Sequence, residues 1–275
     1  MTSNLPATDC LERIEAMAFF EEYAAAPPEL VDAAGLGCEW VGDTLVAWAS
    51  SVDVLMFNRA LCVTPSSLAT EAHVRAIAAR FDGHGITRSF LQAAPGVAPA
   101  EFATWLEPNG YAPYNRWVKF ARPLVDLPPT SNRVRVDAIA PDRAAEFARV
   151  LATAFRMPPP IEDWEAALVG RPGWRHYLAY DDGAPVGCAA MFVADGLASF
   201  GHAGTLEAAR GRGVQGALIT RRLADAAAAG CTHAVVETAE DTPEKPAPSF
   251  RNQLRHGFEL CYYRPNYLRG RPSTP

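Results

Sequence analysis

The stretch Thr205-Leu-Glu-Ala-Ala-Arg-Gly-Arg-Gly-Val-Gln-Gly-Ala-Leu-Ile219 decides how the rest of the chain is read. An apolar run, Leu197 to Ala203, precedes it and predicts a strand. An Ala/Leu/Arg segment, Val214 to Ala229, follows and predicts a helix. Between them stand Arg210, Gly211, Arg212, Gly213 and Gly216. A glycine-rich turn that opens a helix points several backbone N–H groups one way, and the helix dipole adds positive potential there. Anions settle in such places, pyrophosphates among them, and two arginines add charge-assisted donors. The stretch therefore predicts a pyrophosphate-binding turn. The alternative reading is a strand-to-helix turn with solvated arginines. The Gly-Lys-Ser/Thr of a P-loop is not present in the stretch.

Outward from the turn, the second half reads as strand Val134 to Ile139, a helix capped by Asp142 and running to Phe155, a break at Met157-Pro-Pro-Pro160 and a short helix Trp164 to Leu168. Strands His176 to Tyr180, Val186 to Val193 and Leu197 to Gly204 follow, joined by connections too short for a crossover, hence an antiparallel meander. Beyond the signature helix come strand Thr232 to Thr238, parallel to its predecessor, helix Pro248 to His256 and strand Phe258 to Leu268. The first half reads as helix Cys10 to Ala25 with Asp9 as N-cap, strands Cys38 to Val41 and Thr44 to Ser50, strand Val54 to Val63, helix Thr70 to Phe81, strand Ile86 to Gln92, helix Ala100 to Leu106 and strand Tyr114 to Ala121. Pro123 to Asn132, rich in Pro, Thr and Ser, reads as a linker.

The halves repeat. Gly85-Ile-Thr-Arg-Ser-Phe-Leu-Gln92 corresponds to Gly230-Cys-Thr-His-Ala-Val-Val-Glu237, and Asn109-Gly110-Tyr111 to His256-Gly257-Phe258, at nearly the same offset. Matching elements in one order indicate two copies of one fold. In the first copy the equivalents of Arg210 and Gly213 are Pro65 and Leu68, and Val63 to Ala69 holds neither Gly nor Arg. The first copy therefore lacks the means to cradle a pyrophosphate in the same way.

Length and composition set outer limits. The 275 residues suit two domains with a core each. A net charge of −6 argues against a general nucleic-acid partner. Six cysteines without a C-x-x-C pair argue against a zinc or redox site, so no metal is expected. The start of the sequence has no secretory pattern, and no apolar stretch approaches the ~20 residues of a membrane span. The expectation is a cytoplasmic protein with no membrane partner.

Taken together, these residues resemble the GNAT acyltransferase superfamily. Its acetyl-CoA motif is Gln/Arg-x-x-Gly-x-Gly/Ala at a strand–helix junction, which Arg210-Gly-Arg-Gly213-Val-Gln215 matches at its first two anchors. The last position is Gln215, with Gly216 one residue later. Ser249-x-x-Asn252-x-x-x-x-Gly257-Phe258 is similar to the family's closing helix and glycine-aromatic step. The resemblance implies an α+β fold of two tandem GNAT-like domains, each a mixed, mostly antiparallel sheet flanked by helices: a degenerate copy at residues 1–125 and an acetyl-CoA-binding copy at 133–275.

The resemblance further implies an N-acetyltransferase that moves an acetyl group from acetyl-CoA directly to the amine of a small molecule. A homodimer remains an option. The contrasting reading is a non-catalytic acyl-CoA sensor or partner-binding module. Coenzyme A would rest on Ala203, Gly204 and Thr205 of the strand, on Arg210, Gly211, Arg212, Gly213, Val214, Gln215 and Gly216 of the turn, and on Ser249 and Asn252; capping by Ser249 is its alternative role. The amine must lose a proton and the thiolate must gain one. The acid usual in relatives is a Tyr, where this chain has Gln253, which leaves Tyr262 and Tyr263 as the acid by type. His202 and Glu237 are the candidate bases. Trp174, Trp164 and Phe155 are candidates to line the acceptor pocket.

Overall fold

The computed structural model describes residues 5–129, 134–158 and 160–270. Along the chain run α1 (Thr8–Ala24), α2 (Pro28–Ala34), β1 (Leu36–Val41), β2 (Thr44–Ala49), β3 (Arg59–Cys62), α3 (Glu71–Gly83), β4 (Ser89–Ala93), α4 (Phe102–Leu106) and β5 (Tyr111–Pro123). Then come β6 (Arg135–Ile139), α5 (Ala144–Phe155), α6 (Pro160–Leu168), β7 (Trp174–Asp181), β8 (Ala184–Ala194), β9 (Leu197–Thr205), α7 (Val214–Ala228), β10 (His233–Ala239), α8 (Pro248–Arg255) and β11 (Glu259–Arg269). This is an α+β fold. Among the described residues no helix is long and apolar enough to cross a membrane. Residues 130–132 of the Pro-rich linker, and residue 159 in the Pro run, lie outside the described residues.

The chain divides into two compact units. Among the described residues, one is built from Ala7–Ala24, Pro28–Val118 and residues 262–270. In it β1, β2 and β3 are successively antiparallel, and α3 carries the chain over to β4, which pairs parallel to β3. The pairing Arg59↔Phe90 to Cys62↔Ala93 covers the whole of β3, so these two strands stay zipped together. The end of β11 pairs antiparallel with β4. Val46, Ala60, Val74, Ile77, Phe81, Leu91, Phe102 and Leu106 form a core between sheet and helices. At the turn before α3, the Thr64 and Ser66 hydroxyls donate to one carboxylate oxygen of Asp43 (2.8 and 2.7 Å). The Ser66 and then the Thr64 hydrogen bond hold the Asp43 carboxyl below its usual range. A second feature of this unit is ionic: Arg264 of β11 is buried and donates to Glu12 (2.5 Å) and Glu15 (2.7 Å) of α1.

The other unit consists chiefly of Lys119–Cys261. β6, β7, β8 and β9 form the expected antiparallel meander, and β10 returns parallel to β9 through α7. The repeat read in the sequence is thus a repeat of topology: three antiparallel strands, a helix and a parallel fourth strand occur twice. α5 presents Phe147, Val150 and Leu151 to the interior, and α6 presents Ile161, Trp164 and Leu168.

Three local expectations are corrected. Val54 to Val63 is not one strand, because Leu55–Phe57 forms a 3-10 turn before β3. Asn58 fixes that turn: its side chain accepts the Ala49 N–H (2.8 Å) and donates to the Val52 carbonyl (3.1 Å). Asp142 does not cap α5; it lies within a 3-10 turn, Pro141–Arg143, and Arg143 holds the N-cap without a side-chain bond. Asp9 lies inside the first turn of α1, which begins at Thr8, and its carboxylate accepts the Cys10 N–H.

Candidate active site

The signature turn is built by backbone conformations that glycine permits. Gly211 (φ 78°) and Gly213 (φ 84°) sit in the left-handed region, where a side chain would clash with its own backbone. A Cβ at either position would meet nothing within 4 Å, so the turn is open on that side. Gly213 is the N-cap of α7, and the Ala217 N–H donates to its carbonyl (3.0 Å). The N–H groups of Val214, Gln215 and Gly216 precede that first helical bond and have no partner within the helix. Arg210 is exposed. Arg212 donates to Asp181 at 2.7 Å.

α8 is tied to this first turn. The Asn252 Nδ2 donates to the Gln215 Oε1 at 2.5 Å, and Arg255 donates to the Asn252 Oδ1 at 3.0 Å. Gly216 lets the His256 ring approach, since a Cβ there would stand 3.2 Å from the ring Nε2. Ser249 lies in the first turn of α8, whose N-cap is Ala247, so Ser249 does not cap that helix.

β9 changes character along its length. It pairs with β10 from Leu197↔His233 to Phe200↔Val236, and there the pairing stops although both strands continue. The edge of β9 that carries Ala203, Gly204 and Thr205 is therefore turned away from any β10 partner. On the other side β9 stays paired with β8, with a register shift: Ala190 faces Gly201 and Cys188 faces Gly204. Two residues of β9, His202 and Ala203, thus stand against one of β8, which is a β-bulge. His202 takes φ 47°, an uncommon conformation for a residue with a Cβ. Gly204 is required by packing, since a Cβ there would stand 2.8 Å from the Ala154 Cβ.

The bulge aims His202 at α6. Its Nε2 lies 3.7 Å from a carboxylate oxygen of Glu165, whose side chain is 3% exposed. The Trp174 ring meets the imidazole edge-on at 5.3 Å between centroids. Behind them lies His176, 2% exposed, stacked on Trp174 and edge-on to Phe147. Burial, with His202 nearby, pushes the His176 pKa down to about 3, so this ring is neutral. Glu165 was missed by the sequence reading. A signal was present: it falls on the stripe Ile161, Trp164, Leu168 of a helix, where an acidic residue must be buried.

The other candidates fall elsewhere. Glu237 is the first residue of β10 beyond the last β9 pair, and the buried Lys119 of β5 lies 3.8 Å from its carboxylate. Tyr262 and Tyr263 belong to the N-terminal unit. The Tyr262 hydroxyl donates to Glu12 (2.6 Å), and burial, followed by the Glu12 charge, raises its pKa. The Tyr263 ring lies under the Arg116 guanidinium at 4.6 Å. Of the aromatic candidates, Trp174 touches His202, Phe155 is exposed beside Gly204, and Trp164 is fully buried in the core.

Residues 142–250 match the model of the Acetyltransferase (GNAT) family. The whole chain is similar in structure to a GCN5-related N-acetyltransferase from Kribbella flavida, with a TM-score of 0.64 and 20% identity over 98% of each chain. A GCN5-related N-acetyltransferase from Sphaerobacter thermophilus has a TM-score of 0.61 and 17% identity, over 98% of this chain and 95% of that one. A tandem GNAT protein from the clavulanic acid biosynthesis pathway has a TM-score of 0.57 and 18% identity, over 100% of this chain and 98% of that one. No curated protein matches the sequence. Residues 142–250 thus carry the match to the GNAT family model, and the full chain has the tandem GNAT fold. The family uses acetyl-CoA as co-substrate.

Proposed function

We propose that the protein is an N-acetyltransferase that binds one acetyl-CoA, in its second copy, and passes the acetyl group to the amine of a small molecule. The observation that carries this reading is the coincidence of two features on consecutive elements. β9 parts from β10 after Phe200, and α7 opens immediately afterwards with a glycine-arginine turn. The parted strand offers backbone groups at Ala203, Gly204 and Thr205 to an amide-bearing arm. The turn offers the N–H groups of residues 211–216, with Arg210 and Arg212, to the pyrophosphate. Ser249 and Asn252 border it from α8. In sequence, the degenerate copy occupies residues 1–125 and the active copy 133–275. The degenerate copy has neither feature: β3 and β4 are zipped, and the hydroxyls of the turn before α3 donate to the carboxylate of Asp43.

In this reading His202 takes the proton from the acceptor ammonium. The buried Glu165 carboxylate favours the imidazolium so formed. Glu237 is the weaker base, because Lys119 beside it stabilises the carboxylate that would have to accept the proton. The freed amine attacks the thioester carbonyl, the C–S bond breaks, and a proton returns to the thiolate. Solvent supplies that proton. Tyr262 and Tyr263 belong to the other unit, and the Tyr262 hydroxyl is already engaged by Glu12. The six free cysteines fit a reducing, cytoplasmic setting.

Two measurements test the proposal. Calorimetry with acetyl-CoA should give one site per chain. A thiol-release assay over amines, amino acids and aminoglycosides should then identify an acceptor. Absence of coenzyme A binding defeats the proposal outright, whereas binding without transfer to any amine favours a sensor.

A further inference from the structure

Arg222 lies within α7, two turns beyond the open N-terminus of that helix, and only 1% of it is exposed. A buried guanidinium is expected to face a carboxylate. Here it faces carbonyls. Its Nε donates to Leu218 O of its own helix (3.2 Å), and its NH1 to Ala190 O of β8 (3.0 Å) and, longer, to Gly201 O of β9 (3.5 Å). Its plane lies over the Phe200 ring at 4.3 Å. Ala190 and Gly201 are the partners that flank the register shift, and Phe200 is the last residue of β9 paired with β10. One side chain thus touches the place where the β8 ladder slips and the place where the β10 ladder ends.

Burying this charge is costly, and a methionine would fill the same space at lower cost. What only the guanidinium supplies is a set of fixed, charge-assisted donors reaching both strands from the cofactor helix. Burial lowers the Arg222 pKa to about 10, which leaves the group charged at neutral pH.

We propose that Arg222 is a positioning residue that clamps the β9 bulge to α7, holding the free edge at Ala203 and Thr205 in register with the pyrophosphate turn. This inference rests on the acetyl-CoA reading above. It predicts that the two ends of the cofactor respond differently. The nucleotide end meets the turn, which Arg222 does not touch; the pantetheine arm meets β9, which it does.

The test compares two ligands on the full chain: acetyl-CoA, and the phosphoadenosine diphosphate half of coenzyme A, which lacks the pantetheine arm. Wild type is titrated first; if it binds neither ligand, the acetyl-CoA site falls and this inference with it. In Arg222→Met, acetyl-CoA affinity should drop by about tenfold or more while affinity for the nucleotide half stays within about twofold. Arg222→Lys, which keeps the charge but loses the fork, should fall between wild type and Arg222→Met for acetyl-CoA only. Equal weakening of both ligands, or no change in either, would overturn the clamp in favour of a structural role alone. If Arg222→Met does not fold, the same two titrations of Arg222→Lys decide: a selective loss of acetyl-CoA supports the clamp, and an unselective loss or no loss rejects it.

Discussion

Gln215 and Asn252 bridge α7 and α8 through one hydrogen bond, the Asn252 amide donating to the Gln215 carbonyl at 2.5 Å. Gln215 stands at the motif position where relatives place Gly or Ala, and a long polar side chain there is explained by this bond. The first turn of α7 is held from the side while its backbone N–H groups stay open. Gln215→Ala should cost about 1 kcal/mol of stability, the usual worth of such a bond. It should also raise the KM for acetyl-CoA several-fold with little effect on kcat. Urea unfolding and steady-state kinetics check both; a fall in kcat alone would speak against this role.

The turn itself is predicted to carry the pyrophosphate. Arg210→Ala removes an exposed charge, and Gly213→Trp forces a bulky residue into a left-handed conformation that costs about 1–2 kcal/mol. Together they should abolish acetyl-CoA binding by calorimetry while circular dichroism stays native. The matching change in the first copy, Leu68→Trp, is a folding control, because Leu68 is fully buried there.

His202→Gln should lower kcat by about 100-fold or more while leaving acetyl-CoA affinity nearly unchanged, as expected for loss of a general base. Glu165→Gln keeps the shape but removes the charge that favours the imidazolium, so its effect should be in the same direction and smaller. Single-turnover kinetics on a productive amine make the comparison. Should Glu237→Gln be the variant that loses kcat instead, the base has been assigned to the wrong strand.

His176 predicts a pH dependence of stability. Its pKa is near 3 in the folded chain, against about 6.5 in the unfolded one. The unfolded state therefore binds the extra proton first. The stability of the folded state is complete above pH ~6.5 and falls as the pH drops from there toward 3. By pH 5 the loss from this residue alone approaches about 2 kcal/mol. His176→Leu should flatten the wild-type curve between pH 7 and 5. At pH 7 it should be neutral or stabilising, because neither ring nitrogen has a hydrogen-bond partner among the described residues. Denaturant titrations at several pH values measure both effects.

Local pattern carried the fold a long way. Apolar periodicity placed the strands, and Gly85, Gly230 and Gly257, all at positive φ, marked where elements end. The pattern failed where a tertiary contact outweighed it. The apolar run from Val54 predicts a strand, but Asn58 bonds across to Ala49 and Val52 and holds a 3-10 turn instead. Glu165 escaped notice because a single acidic residue on an apolar stripe means nothing until its neighbour is known, and that neighbour, His202, is distant in sequence.

The sequence by itself determined the turn, since the two glycines at positive φ and the helix that follows are local properties of adjacent residues. It also determined the repeat, because the same order of periodicities recurs. Only the tertiary structure decided which copy can open. The parting of β9 from β10 is a property of strand register, and register depends on residues of β8, α7 and β10 meeting in space. The same holds for the bulge that turns His202 toward Glu165 and for the buried Arg222 beneath it: each follows from packing between segments that no stretch of chain contains together.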